Sequence, residues 1–290
     1  MLNRREFVLA GTATGLLLAT GRAGAQAKMS VFAMIEQQTG GRLGVAAIDT
    51  ANGHRLLYRA DERFGLCSTF KIPLAAAILA QVDAGKLSLD QPVRFTEADV
   101  LDYAPVVKAN VAKGSLTVGE LCEAIVKMSD NAAANLLLPL VAGPGGLTRW
   151  LRGHGDTITR IDRPEPSVNN ANPPDDERDT TTPLAMMGLL DDILIGDILG
   201  PASREKLIGW MQSSMTGLTL LRAGLPTDWR AGDKSGRDGK RWVNNVAIAF
   251  PPKRKPVLIA CYLDAPDARE SVAGQAHADV AKLVSQVFSV

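Results

Sequence analysis

The chain has 290 residues, 46% of them hydrophobic and 22% charged, and Lys+Arg 32 against Asp+Glu 31 leave a formal net charge of +1. That balance excludes the basic excess of a nucleic-acid or membrane-surface binder. The length suffices for a sizeable core, in one large domain or two intimately packed ones.

Residues 1–27 read as a segment absent from the mature protein. Arg4-Arg5-Glu6-Phe7 precedes an apolar run from Val8 to Ala19, then small residues at Ala23-Gly24-Ala25 and Ala25-Gln26-Ala27. A charged start, a short apolar core and an Ala-x-Ala site form a cleaved export signal. The paired arginines before Phe7 make it twin-arginine in type, and the run is shorter than the roughly 20 residues of a membrane span. The expectation is a periplasmic or otherwise exported protein with no membrane attachment after cleavage. Loss of Arg4, Arg5, Glu6 and Arg22 turns the charge of +1 into −1.

Leu43 to Asp49 reads as a strand, Thr50-Ala51-Asn52-Gly53 as a turn, and His54 to Arg59 as a second strand. From about residue 60 to 210 the pattern is mostly helical, with helices expected over Ser68–Asp83, Leu116–Met128 and Asn131–Val141. Gly143-Pro144-Gly145-Gly146 reads as a break. A polar, proline-rich stretch from Arg160 to Pro183 has no helical period and is too long for a casual connection, which points to function. Strand patterns return at Trp229–Asp233, Trp242–Phe250 and Val257–Leu263, with turns expected over Gly232–Gly239 and at Pro251-Pro252-Lys253. Arg269 to Val287 closes the chain with helical spacing. Strands at both ends around a helical middle predict an α+β fold in which the two termini share one antiparallel sheet. The expected division is 28–59 plus 212–290 as the sheet domain and 60–211 as an inserted all-helical domain carrying the 160–183 loop.

Three cysteines, Cys67, Cys122 and Cys261, make no disulfide framework, and the last two fall in patterns that bury small hydrophobes. His54, His154 and His277 are isolated and lack metal-ligand spacing, so no metal or other cofactor is expected.

The chemistry is carried by three short clusters. Ser68-Thr69-Phe70-Lys71 opens the first long helical pattern. A three-residue step on a helix returns to nearly the same face, about 5–6 Å away, so Lys71 can take the Ser68 proton and activate a weak nucleophile. A helix N-terminus there suits a developing oxyanion. Ser129-Asp130-Asn131 lies between two expected helices; Ser129 can relay a proton to a leaving nitrogen and Asn131 can hold a carbonyl, though all three types are also ordinary helix caps. Lys234-Ser235-Gly236 ends a strand pattern, where Lys and Ser can bind a carboxylate and Gly admits a ligand close to the backbone. Each cluster is common alone; the three in this order are not.

Together they resemble the penicillin-recognising serine enzymes. Arg163-Pro164-Glu165-Pro166-Ser167-Val168-Asn169 and Arg178-Asp179-Thr180-Thr181-Thr182-Pro183 resemble the two ends of the Ω loop of class A β-lactamases, and Asp102-Tyr103-Ala104-Pro105 and Trp229-Arg230-Ala231-Gly232-Asp233-Lys234 fit the same family. The resemblance implies an antiparallel five-stranded sheet flanked by helices. It also implies a monomer hydrolysing penicillins and cephalosporins, met by β-lactamase inhibitors, and conferring resistance. By resemblance Ser68 attacks the lactam carbonyl, and Lys71, or Glu165 through a water, takes its proton. The backbone N–H groups of Ser68 and Arg237 form the oxyanion hole, and Ser129 protonates the lactam nitrogen with Lys71 and Lys234 behind it. Glu165 and Asn169 hold the water that frees the enzyme. Tyr103, Asn131, Ser235, Gly236 and Arg237 contact substrate, the Glu165–Pro166 bond is cis, and Arg163 pairs with Asp179 across the loop neck.

Several positions depart from the family pattern. The loop between Asn169 and Asp179 is longer than in many relatives, and Asp238 denies Cys67 the disulfide partner found in some carbapenem-hydrolysing relatives. The arginine that many relatives use for the substrate carboxylate is replaced by Asn244, and the alternative position upstream is Leu220. Arg237, Arg241 and Arg269 are the candidate substitutes, Arg237 first. A peptidoglycan peptidase would lack Glu165 with Asn169, and a membrane-bound β-lactam sensor would need a span that the mature chain lacks.

Overall fold

The computed structural model describes residue 29 and residues 31–289, so the export signal read over 1–27 lies outside the described residues. Helix α1 (31–39) leads into β1 (Arg42–Asp49) and β2 (His54–Tyr58), joined by the expected turn. Gly53 stands in that turn at φ +75°, a conformation in which a side chain is strained. The helical middle comprises β3 (Phe64–Gly65), α2 (Lys71–Asp83), β4 (Pro92–Arg94), α3 (Pro105–Ala109), β5 (Ser115–Thr117), α4 (Val118–Lys127), α5 (Asn131–Leu137), α6 (Gly143–Gly153), β6 (Thr180–Thr181), α7 (Pro183–Leu194), α8 (Pro201–Gln212) and α9 (Leu221–Gly224). The chain then returns as β7 (Arg230–Arg237), β8 (Trp242–Phe250), β9 (Val257–Asp264) and α10 (Glu270–Phe288).

The α+β expectation holds. Five strands form one antiparallel sheet in the order β2-β1-β9-β8-β7, so the N- and C-terminal segments pair through β1 and β9. Alternation along the strands splits the core in two. Val45 and Ile259 face Phe32 of α1, Leu221 of α9 and Val280 and Val284 of α10. Ile48, Leu258 and Tyr262 face the helical body, where α2 is buried from Lys71 to Leu79. A strand covered on both faces reads as a continuous apolar run, as in β9, all eight residues of which are buried.

Four expected boundaries are corrected. Ser68–Asp83 is not one α-helix: Cys67–Phe70 is a 3-10 turn and the α-helix starts at Lys71. Pro73 lacks the N–H that would bond back to Thr69, so the α-ladder cannot extend through that turn. The helix expected from Leu116 starts at Val118, because Thr117 caps it, accepting from the Glu120 amide at 3.1 Å while the Glu120 carboxylate accepts from the Thr117 amide at 2.6 Å. Gly143–Gly146 is the first turn of α6 rather than a break; the break is one residue earlier, at Ala142 with φ +60°. The turn expected over Gly232–Gly239 shrinks to the residues after Arg237. There the Asp238 carboxylate accepts from the amides of Lys240, Arg241 and Trp242 at 2.9 Å each. Lys234-Ser235-Gly236 therefore lies inside a strand.

Candidate active site

The 3-10 turn carries Ser68, and the first residue of α2 places the fully buried Lys71 against it, with Nζ 3.0 Å from Ser68 Oγ. The same Nζ lies 2.9 Å from Glu165 Oε1, 2.8 Å from the Ser129 carbonyl and 2.5 Å from Asn131 Oδ1. With Ser129 Oγ at 3.4 Å, five acceptors surround an ammonium that has three protons. When Lys71 gives one up, its lone pair is within reach of the Ser68 hydroxyl.

Ser129 sits between α4 and α5 at φ +59°, and its Oγ accepts from Lys234 Nζ at 2.9 Å. Asp130 holds this corner in place: its carboxylate accepts from the amides of Val106 (2.8 Å), Val107 (3.0 Å) and Ala133 (2.8 Å). The Asn131 amide donates to the Tyr103 carbonyl at 3.0 Å. The cap expected of this triplet is real, and it serves to aim Ser129 and Asn131.

Glu165 arrives on the 160–183 loop. Arg163 and Asp179 pair across its neck, and Asp179 Oδ1 also accepts from the amides of Asp162 at 2.7 Å and Arg163 at 3.0 Å. Asn135 of α5 clamps the Glu165 backbone from both sides, accepting its N–H at 3.0 Å and donating to its carbonyl at 2.9 Å. The Glu165 carboxylate then lies 3.5 Å from Ser68 Oγ and accepts from Asn169 Nδ2 at 2.8 Å, while Asn169 Oδ1 is buried with no protein partner. The Glu165–Pro166 bond is cis.

From the sheet side, β7 brings Gly236 so close to the nucleophile turn that a Cβ there would lie 2.9 Å from the Leu66 carbonyl and 3.1 Å from the Thr69 amide. Ser235 Oγ donates to Thr216 Oγ1 at 2.7 Å. One open cavity of about 680 Å³ is lined by Ser68, Tyr103, Ser129, Asn131, Asn169, Ser235 and Arg237 together with Met215, Thr216, Leu218 and Glu270.

A family model described as the β-lactamase enzyme family matches residues 27–288. The chain belongs to the class A serine β-lactamases. It is 39% identical over 287 residues to β-lactamase CTX-M-8 of Citrobacter amalonaticus, covering 98% of each chain. It is 44% identical over 229 residues to β-lactamase AST-1 of Nocardia asteroides, covering 79% of this chain and 73% of that one. Among solved structures, an ancestral class A β-lactamase superposes with a TM-score of 0.87 at 48% identity, covering 90% of this chain and 100% of that one. A β-lactamase from Xanthomonas campestris pv. campestris gives 0.88 at 46%, covering 91% and 98%. The chain is accordingly a hydrolase of cyclic amides.

Electrostatics in this β-lactamase site follow from burial. Desolvation lowers the Lys71 pKa, with the adjacent Glu165 carboxylate opposing it. Lys234 is pushed well below the usual lysine range by burial and then by the like charge of Lys71. Burial raises the thiols of Cys67, Cys122 and Cys261, all free, so none is an activated nucleophile.

The carboxylate question is narrowed by geometry. Asn244 does not face the cavity: it is buried beneath the nucleophile turn and donates to the Gly65 carbonyl at 2.8 Å. Leu220 is fully buried. Arg241 is held by Asp264 at 2.6 Å, and neither it nor Arg269 lines the cavity, whereas Arg237 does. Asn135, Thr216 and Glu270 went unread in the sequence. A lone Asn in a helical pattern or a Glu opening the last helix carries no local signal of what it will meet.

Proposed function

We propose that this β-lactamase opens penicillins and cephalosporins through an acyl-enzyme on Ser68 and frees itself with a water held by Glu165 and Asn169. The observation that carries this reading is the Lys71 ammonium lying between Ser68 Oγ at 3.0 Å and Glu165 Oε1 at 2.9 Å, all three side chains buried. In acylation the Ser68 proton goes to Lys71 directly, or to Glu165 through a water, and Oγ bonds to the lactam carbon. The N–H groups of Ser68 and Arg237 take the oxyanion. Ser129, hydrogen-bonded by Lys234, passes a proton to the nitrogen as the C–N bond breaks. In deacylation Glu165 takes a proton from the attacking water; the unpartnered Oδ1 of Asn169 is an acceptor that can hold that water. Asn131 and Tyr103 line the substrate side, and Ser235, Gly236 and Arg237 receive the carboxylate end.

The mature protein acts outside the cytoplasm after removal of residues 1–27, as a monomer built from a sheet domain (28–59 with 212–290) and a helical domain (60–211), and protects its host from β-lactams. No helix among the described residues is long and apolar enough to cross a membrane. The test is hydrolysis of a penicillin and a chromogenic cephalosporin by the purified protein beside Ser68→Ala and Glu165→Ala, with intact mass of each mixture. Ser68→Ala is expected to be inert, and Glu165→Ala to acquire the mass of one opened β-lactam and stop. A positioned base contributes about 10²–10⁴ in rate. Rapid turnover by Glu165→Ala would remove that residue from deacylation. A wild type that acylates once and stalls would mark a penicillin-sensitive peptidase or sensor instead.

A further inference from the structure

We propose that Glu270 makes this site selective for zwitterionic cephalosporins, those carrying a cationic C3 substituent beside the ring carboxylate; the inference rests on the proposed β-lactam chemistry of the same cavity. Side chains of β7 alternate between faces. Lys234 and Gly236 turn to the Ser129 corner and the nucleophile turn, whereas Ser235 meets Thr216 and Arg237 meets Glu270 in the first turn of α10. Arg237 and Glu270 are an ion pair, their side chains 28% and 78% exposed, and both line the cavity that holds Ser68. Asp238 stands at the same lip. The depth of the site therefore holds two buried lysines, Lys71 and Lys234, with the buried Glu165 carboxylate beside Lys71, and its lip holds one guanidinium with two carboxylates.

A substrate carboxylate seeking Arg237 finds it already occupied and has to displace Glu270. An exposed ion pair is weak enough to exchange. The displaced Glu270 then stands beside the bound carboxylate as a like charge, unless the substrate supplies a cation. In a cephalosporin the C3 substituent is borne by the ring carbon next to the one carrying the carboxylate, so a cationic substituent falls where Glu270 has been released. One ion pair is replaced by two. A penicillin carries only methyl groups on the corresponding carbon and gains no such partner.

The experiment compares two cephalosporins with the same 7-acylamido side chain, one with a quaternary ammonium at C3 and one with a neutral substituent. kcat and KM are measured for wild type, Glu270→Gln and Glu270→Lys at low and high salt. Relative to wild type, Glu270→Gln is expected to lower KM for the neutral compound and raise it for the cationic one. The ratio of their kcat/KM values should shift by about fivefold, further in Glu270→Lys, and less at high salt. A ratio within twofold of wild type in both variants, or two substrates that move together, would overturn the inference. Arg237→Ala, run in parallel, is expected to raise KM for both compounds. If it does not, the carboxylate assignment of Arg237 fails, while absence of turnover by the wild type on either compound would refute the proposed hydrolytic cycle on which the inference rests.

Discussion

Asn135 is the side chain on which delivery of Glu165 depends most directly. Replacing it with alanine removes two hydrogen bonds, of 3.0 and 2.9 Å, and leaves the N–H and C=O of Glu165 without partners. Each unsatisfied buried group costs about 1–3 kcal/mol, so Asn135→Ala should destabilise the protein by about 2–6 kcal/mol, with Tm lower by about 5–20 °C. The chemical consequence is selective. Ser68, Lys71 and Ser129 are held by α2, by the 3-10 turn and by Asp130, whereas both side-chain hydrogen bonds of Asn135 go to the Glu165 backbone, so acylation should survive. The Glu165 carboxylate loses its register with Asn169, and a misplacement of about 1 Å can cost about 10² in rate. Stopped-flow mixing with a chromogenic cephalosporin should show a burst of acylation followed by turnover slowed about 10–10²-fold. kcat and KM should fall together, because the acyl-enzyme accumulates. Asn135→Asp keeps the acceptor for the Glu165 amide and loses the donor, and should lie between. A variant with wild-type deacylation and wild-type Tm would refute this account of how Glu165 is aimed.

Two further outcomes are expected. His277, buried in α10 with Nδ1 on the Ala273 carbonyl, has its pKa lowered from 6.5 to about 4, chiefly by burial. The unfolded chain thus binds the extra proton first as pH falls, so stability should decline from about pH 6.5 to about pH 4, by about 2–3 kcal/mol near pH 4.5. Urea unfolding of His277→Leu should lose that part of the pH dependence, and an unchanged difference between pH 7 and about pH 4.5 would exclude His277 as its source. At the loop neck, Asp179→Ala would leave the Arg163 guanidinium and two amide donors unpaired. Faster limited proteolysis within 160–183 and slower deacylation should follow. Cleavage at the wild-type rate would show that the neck is held by other contacts.

Chemistry and short-range steps were legible from the residues alone. Ser68 and Lys71 meet because they lie three positions apart at the entrance to a helix; β1, β8 and β9 carry the largely apolar runs of strands covered on both faces, and the edge strand β2 alternates buried and exposed residues from Arg55 to Tyr58. The meeting of distant segments was not legible. Lys234 reaches Ser129 across 105 residues of chain and Ser68 meets Glu165 across 97, and no local propensity encodes such a distance. The extent of β7 is hidden for the same reason: Gly232 and Gly236 look like turn residues, yet they serve close approaches of the strand to Met211 and to the Leu66 carbonyl. Choosing among Arg237, Arg241 and Arg269 also required the fold. Residue type made all three eligible, but the two-residue alternation of β7, the packing of α10 against the sheet and the claim of Asp264 on Arg241 put only Arg237 in the cavity, already paired with Glu270. Residue types chosen by the reaction can be read one at a time; a site assembled from a helix, a loop and a sheet edge depends on where packing brings those elements together.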